Sequence, residues 1–271
     1  MGRRGPTSHR ARRTDRRAEC SQRRASLNRR EFVGAITGGT LTACLGQSRS
    51  RTSVRLSARP GIPTGTVSPG ITRLGPGSTD AHLYVPRSYR ADSPAPLVLG
   101  LHGATMNYAS QLELLRERAE SHGLLVVAVQ SSDYTWDGIL GRYGPDVARI
   151  DAALTQAFSR CRVDPARVVI EGFSDGASYA LGLGVANGAL FPRIVAFSPG
   201  FIAESGADPD GTPEVFISHG REDQILPIAR TSRAIVPALQ SAGYQVTYTE
   251  FAGGHGAPPG VVQSAVEWMI R

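Results

Sequence analysis

From about Asp80 onward, short unbroken apolar runs alternate with segments whose apolar residues recur at helical spacing. Residues 96–101 are apolar throughout, as in a strand buried on both faces of a parallel sheet, and 124–129, 168–170, 194–197 and 214–218 read the same way. Residues 82–86 predict an earlier strand. Leu112, Leu114, Leu115 and Ala119 form a helical stripe, and Val147, Ile150, Leu154, Ala157 and Phe158 predict a helix over about 146–161. A helix near 228–241, a strand over 245–251 and a last helix from about Gly260 complete the rhythm. Strand followed by helix, repeated, predicts a doubly wound, mostly parallel sheet with helices on both faces. Right-handed crossovers then place the C-terminal ends of the parallel strands along one edge.

No linker interrupts this alternation, so 80–271 is expected to form one domain. Ahead of it, residues 45–78 are rich in Ser, Thr, Gly, Pro and Arg with few large apolar side chains, and 44–79 reads as a flexible tether. No internal repeat is visible.

The formal charge of +7 suggests nucleic acid until it is mapped along the chain. Residues 1–43 hold 11 arginines against Asp15, Glu19 and Glu31, whereas the remainder holds 19 arginines against 20 acids. The basic excess therefore sits in the leader, and a nucleic-acid partner is not expected. No lysine occurs anywhere, which excludes Schiff-base and pyridoxal-phosphate chemistry. Within the leader, Asn28-Arg29-Arg30-Glu31-Phe32-Val33 resembles a twin-arginine export signal, followed by an apolar run too short to span a bilayer. Leu41-Thr42-Ala43-Cys44 looks like a bacterial lipoprotein signal. The expectation is an exported protein held at the membrane by a lipidated Cys44 rather than by a transmembrane helix. Cys20 would then leave with the signal and Cys161 would be the one remaining thiol, with no intramolecular disulfide and the pattern of a buried structural residue.

The chemistry is concentrated where residues 168–170 give way to Glu171-Gly172-Phe173-Ser174-Asp175-Gly176-Ala177-Ser178. A serine between two glycines at a strand-to-helix junction has the form of a nucleophile elbow, a strained turn that lifts the hydroxyl out of the sheet. Gly172 and Gly176 suit that turn because strand and helix nearly touch there.

An acid and a histidine follow Ser174 in chain order, each beyond a predicted strand. Asp223, in His219-Gly220-Arg221-Glu222-Asp223, is the candidate acid, with Glu222 the neighbouring alternative. His255, on the glycine-rich loop Gly253-Gly254-His255-Gly256, is the candidate general base. His102 and His219 precede glycines at strand ends and read as loop organisers; no spacing suggests a metal site, and no cofactor is expected. The turn His102-Gly103-Ala104-Thr105 follows the strand at 96–101. There the backbone amides of Ala104 and Asp175 are expected to form an oxyanion hole, each donor contributing on the order of 3 kcal/mol to the barrier reduction. His102 and Gly103, with Tyr134 and Trp136 on the loop after 124–129, are assigned to the substrate cleft.

The run from His102-Gly103 through Thr135-Trp136-Asp137, Arg162-Val163-Asp164-Pro165-Ala166-Arg167 and the Ser174 elbow to Asp223 and His255 resembles α/β-hydrolase serine esterases. It is similar, more narrowly, to their phospholipase/carboxylesterase and polyhydroxybutyrate-depolymerase-like branch. The resemblance implies an α/β-hydrolase fold and cofactor-free hydrolysis of small-molecule carboxylic esters through an acyl-enzyme. Asp175 departs from the Gln, Met or Gly usual in that branch, and its charge disfavours acidic substrates. Residues 198–213 are too short and too rich in Gly, Pro and acids for a helical cap, so small or surface-presented esters are expected. Acyl transfer or peptide cleavage on the same three residues, and a lipid-anchored binding protein without activity, are the alternatives.

Overall fold

The computed structural model describes Met1 and residues 54–75 and 81–271. The export signal expected at 1–43, apart from Met1, and the lipidation expected at Cys44 fall outside the described residues. Eight strands form one sheet: β1 Gly70–Leu74, β2 Ala81–Val85, β3 Ala95–Leu101, β4 Leu125–Val129, β5 Val163–Phe173, β6 Arg193–Phe197, β7 Glu214–Gly220 and β8 Val246–Phe251, in the order β1-β2-β4-β3-β5-β6-β7-β8. The pairs β1–β2 and β2–β4 are antiparallel and the others parallel.

The unbroken apolar runs are explained by what each face meets. In β3, Leu97, Leu99 and Leu101 pack into one core and Val98 into the other; in β4, Leu125, Val127 and Val129 face the first and Val126 and Ala128 the second. A strand covered on both sides has no polar face. The first core is closed by helices α2 (Pro145–Arg160), α3 (Asp175–Ala186) and α4 (Ser232–Ser241), and the second by α1 (Tyr108–His122) and α5 (Pro259–Met269). The helix expected over 228–241 is interrupted: a 3-10 turn at Ile228–Arg230 is followed by Thr231 with φ −120° and ψ −104°, and α4 begins after it. Residues 198–213 carry neither helix nor strand. None of the described helices is long and apolar enough to cross a membrane.

The tether expected at 44–79 is corrected for its described part. Val54, Leu56 and Ala58 are buried in the first core. The Leu56 amide donates to Asn187 Oδ1 at 2.8 Å, and Asn187 Nδ2 donates to the Val54 carbonyl at 3.0 Å. The Asp151 carboxylate accepts from the amides of Ser57 and Ala58 at 2.7 and 2.8 Å. The chain then enters the sheet as β1, the edge strand on the antiparallel side. Alternate small apolar residues supply too little surface to order on their own, but here their backbone finds anchors on α2 and beyond α3. The folded unit therefore includes residues 54–75 as well as 81–271.

Candidate active site

Ser174 joins β5 to α3 with φ 57° and ψ −118°. A left-handed φ at a residue with a Cβ costs on the order of 1–3 kcal/mol and persists only where the surroundings enforce it. Here the Ser174 amide is tied to the Phe197 carbonyl at 2.9 Å, and a Cβ on Gly176 would lie 2.1 Å from the Leu101 carbonyl oxygen. The first turn of α3 is thus pressed against the end of β3, and Ser174 stands above the strand ends, 9% exposed.

Two loops from the same edge meet it. His255, on the loop after β8, has Nε2 2.9 Å from Ser174 Oγ and Nδ1 2.7 Å from Asp223 Oδ2. Asp223, just past β7, accepts the amides of Ile225 at 2.9 Å and Leu226 at 2.8 Å on Oδ1. Burial works against its charge, but the Leu226 amide and the His255 imidazole outweigh it and hold the carboxyl below the ordinary aspartate value. An ionised carboxylate only accepts, so Nδ1 of His255 carries the proton and Nε2 is free to take the Ser174 hydroxyl proton. The two loops lock to each other through Arg221 N–H to the Phe251 carbonyl and Glu222 N–H to the Gly253 carbonyl, at 2.9 and 3.0 Å. The side chain of Ser198 donates to the Gly256 carbonyl at 3.0 Å and fixes the histidine loop from below. Glu222, the alternative acid, is exposed.

Gly103 closes the other side of Ser174: a Cβ there would meet Met106 Sδ at 3.0 Å, Phe173 Cδ1 at 3.1 Å and Ser174 Cβ at 3.3 Å. The turn is set by Thr105, with φ 60°, whose amide donates to the Tyr134 carbonyl at 2.7 Å, and by Met106 N–H to the Gly103 carbonyl at 3.1 Å. Ala104 thus lies on a turn held against Ser174, and Asp175 is the first residue of α3, where an amide has no partner inside the helix. The Asp175 carboxylate accepts the Thr135 hydroxyl at 2.6 Å, which directs its charge toward the 131–137 loop.

Two residues expected in the substrate cleft lie elsewhere. His102 is fully buried, with Nδ1–H on the Gly103 carbonyl at 2.8 Å and Nε2 accepting the Ser131 amide at 3.1 Å; burial lowers its basicity. Both ring nitrogens are spent on the loop. Trp136 is also fully buried, its indole N–H on the His102 carbonyl at 2.8 Å and its ring stacked on Tyr179. It holds the turn that follows β3, because an indole N–H left without an acceptor in the core is costly. Tyr134 is 59% exposed and touches the turn through its backbone. Thr135, whose hydroxyl reaches Asp175, and Met106, whose Sδ lies against Gly103, were not singled out in the sequence; the signal for them was their position next to residues that were.

No group of three or more His, Cys, Asp or Glu side chains able to hold a metal occurs among the described residues. Cys161 is buried, which pushes its thiol up to about 11 and away from reactivity.

A phospholipase/carboxylesterase family profile matches residues 147–269. The probable feruloyl esterase C of Aspergillus oryzae is 32% identical over 154 residues, 54% of this chain and 55% of that protein, so the chain spans about half the length of that relative. Feruloyl esterase C of Emericella nidulans is 29% identical over 217 residues, 67% of this chain and 78% of that one. Among solved structures, esterase PE8 superposes with a TM-score of 0.57 at 22% identity, covering 73% of this chain and 98% of its own. The Bacillus cereus carboxylesterase does so at 0.56 and 21%, covering 71% and 94%. The order of the eight strands and these likenesses together show that the chain has the α/β-hydrolase fold.

Proposed function

We propose that this chain hydrolyses carboxylic esters through an acyl-enzyme formed on Ser174. The observation that carries it is the continuous hydrogen-bonded path Ser174–His255–Asp223, at 2.9 and 2.7 Å. As Ser174 Oγ attacks the ester carbonyl, its proton passes to His255 Nε2, and Asp223 stabilises the imidazolium that forms. The tetrahedral oxygen takes its charge between the amides of Ala104 and Asp175. When the ester C–O bond breaks, His255 returns the proton to the leaving alkoxide. Water then attacks the acyl group with His255 as base, and Ser174 is released.

The relatives bearing the name feruloyl esterase support an ester as substrate. The uncapped loop at 198–213 favours small or surface-presented esters over long triglycerides. The Asp175 carboxylate, next to Ser174 in the chain and held by Thr135, disfavours anionic acids. The twin-arginine and Cys44 motifs favour export and attachment by a lipid.

The test is turnover of a p-nitrophenyl ester series and of methyl ferulate by the protein and by Ser174→Ala. Short acyl chains or the ferulate ester should be cleaved by the former, with activity falling at least about a thousandfold in the latter. Equal turnover in both proteins rejects the mechanism.

A further inference from the structure

We infer that His219 is a positioning residue for this site: with its ring oriented by Ser232, it donates Nε2–H to the Asp223 carboxylate and pins the oxygen on which His255 depends. The inference deepens the ester-hydrolase reading and rests on it.

His219 is fully buried near the end of β7, and all of its ring contacts are to groups of defined polarity. Nε2 lies 2.8 Å from the Leu226 carbonyl and 3.1 Å from Asp223 Oδ2, while Nδ1 lies 2.6 Å from Ser232 Oγ. A carbonyl oxygen only accepts, so Nε2 must carry the proton. Burial lowers the basicity of the ring, which keeps it neutral and leaves Nδ1 as a lone pair. The buried Ser232 hydroxyl, at the first position of α4, therefore donates to Nδ1. This fixes the tautomer as surely as a carboxylate does for a catalytic imidazole, but with the donor and acceptor ends reversed.

The consequence falls on Asp223. Its Oδ1 holds the amides of Ile225 and Leu226, and its Oδ2 holds His255 Nδ1–H and lies 3.1 Å from His219 Nε2, whose one N–H it shares with the Leu226 carbonyl. An ionised carboxylate offers about four acceptor sites, and here three full donors and the shared His219 N–H engage it. The carboxylate cannot turn without breaking one of these contacts. Leu226 closes the arrangement into a ring, since its amide holds Oδ1 while its carbonyl holds His219. The titratable side chains in contact with Asp223 are His219, from the end of β7, and His255, from the loop after β8; Glu222, next in the chain, is exposed. Removing His219 both loosens Oδ2 and concentrates its charge on His255, which then holds a proton more tightly.

The experiment compares the full chain with His219→Leu, which removes the donor, His219→Gln, whose amide N–H reaches the place of Nε2–H, and Ser232→Ala. Turnover and the NMR titration of the His255 ring are read in each, with thermal unfolding as the check on folding. For His219→Leu we expect kcat to fall about tenfold or more with KM within about twofold, and the His255 midpoint to rise by about half a unit or more. His219→Gln should restore both to within about threefold of the parent. Ser232→Ala should move both in the direction of His219→Leu by a smaller amount, and it decides the matter if His219→Leu does not fold. A folded His219→Leu, or in its absence Ser232→Ala, with unchanged kcat and unchanged His255 midpoint overturns the inference. So does His219→Gln as impaired as His219→Leu while the His255 midpoint stays put, since that is the signature of a purely structural clasp. Failure of the ester-hydrolase reading is recognised separately, by a parent protein without esterase activity or an Asp223→Asn variant with parental turnover, because the His255 titration is read without substrate.

Discussion

Gly172 and Gly176 lie so close across the strand-to-helix turn that a Cβ on Gly172 would stand 2.2 Å from both the carbonyl carbon and the carbonyl oxygen of Gly176. Contact of this kind is with backbone, which cannot rotate aside as a side chain can. Gly172→Ala must therefore push α3 away from β5, and the Ser174 hydroxyl with it. We expect a loss of at least about 3 kcal/mol, at the upper end of what overpacking costs, with activity falling further than the folded fraction accounts for. Thermal unfolding beside turnover of a p-nitrophenyl ester reads the two effects apart; parental values of both would show that the turn tolerates a methyl group.

Three residues before Ser174, Glu171 is fully buried against Gln111, whose side-chain amide donates to its Oε2, while Oε1 has no hydrogen-bond partner. Burial pushes this carboxyl up to about 8. The folded value lies above the ordinary one near 4.5, so between those pH values the folded protein keeps a proton that the unfolded chain releases. The unfolded state thus binds fewer protons there, and stability falls as pH rises through that window, by at most about 1.4 kcal/mol per unit, levelling off above the folded value. Glu171→Gln removes the titration. Measured from pH 5 to 9, the stability of the parent should decline relative to that of the variant; parallel curves would mean that the carboxyl is not held protonated.

Asn187 ties the strap at 54–58 to the far end of α3, accepting the Leu56 amide and donating to the carbonyls of Val54 and Leu183. Because α3 spans 12 residues, or about 18 Å, this anchor is at the edge of the sheet opposite Ser174. Asn187→Ala leaves buried backbone groups without partners, at about 1–3 kcal/mol each. We expect cleavage within 54–65 on limited proteolysis, a lowered unfolding temperature and nearly parental KM for the folded fraction. A strap that resists protease as well as in the parent would show that the apolar contacts of Val54, Leu56 and Ala58 suffice.

Much of this architecture is legible along the chain because it depends on local periodicity. The strands at 96–101, 194–197 and 214–218 and the stripe from Val147 to Phe158 are each defined by which neighbours are apolar, and the folded elements differ from the expected spans by a few residues. What failed had its partners far away in sequence. Val54 and Leu56 read as tether because Asn187 is more than a hundred positions distant. Trp136 read as a cleft residue because an indole in a loop serves a surface or a core equally well, and only the His102 carbonyl and the Tyr179 ring beneath it decide for the core. His102 was assigned both to the cleft and to its loop, and the Ser131 amide leaves it no free nitrogen for a substrate.

By itself, the order of residues determined that a serine between glycines would follow a buried strand, and that an acid and a histidine would each come after a later one, since strand propensity and turn geometry act over a few neighbours. Only the tertiary structure decided that the three meet. Bringing Ser174, Asp223 and His255 within hydrogen-bond distance depends on the sheet order, on loops locked to each other by backbone contacts and on His219 and Ser232 behind the acid. Those are long-range contacts, whose geometry is set by the packing of the whole domain and by no local pattern.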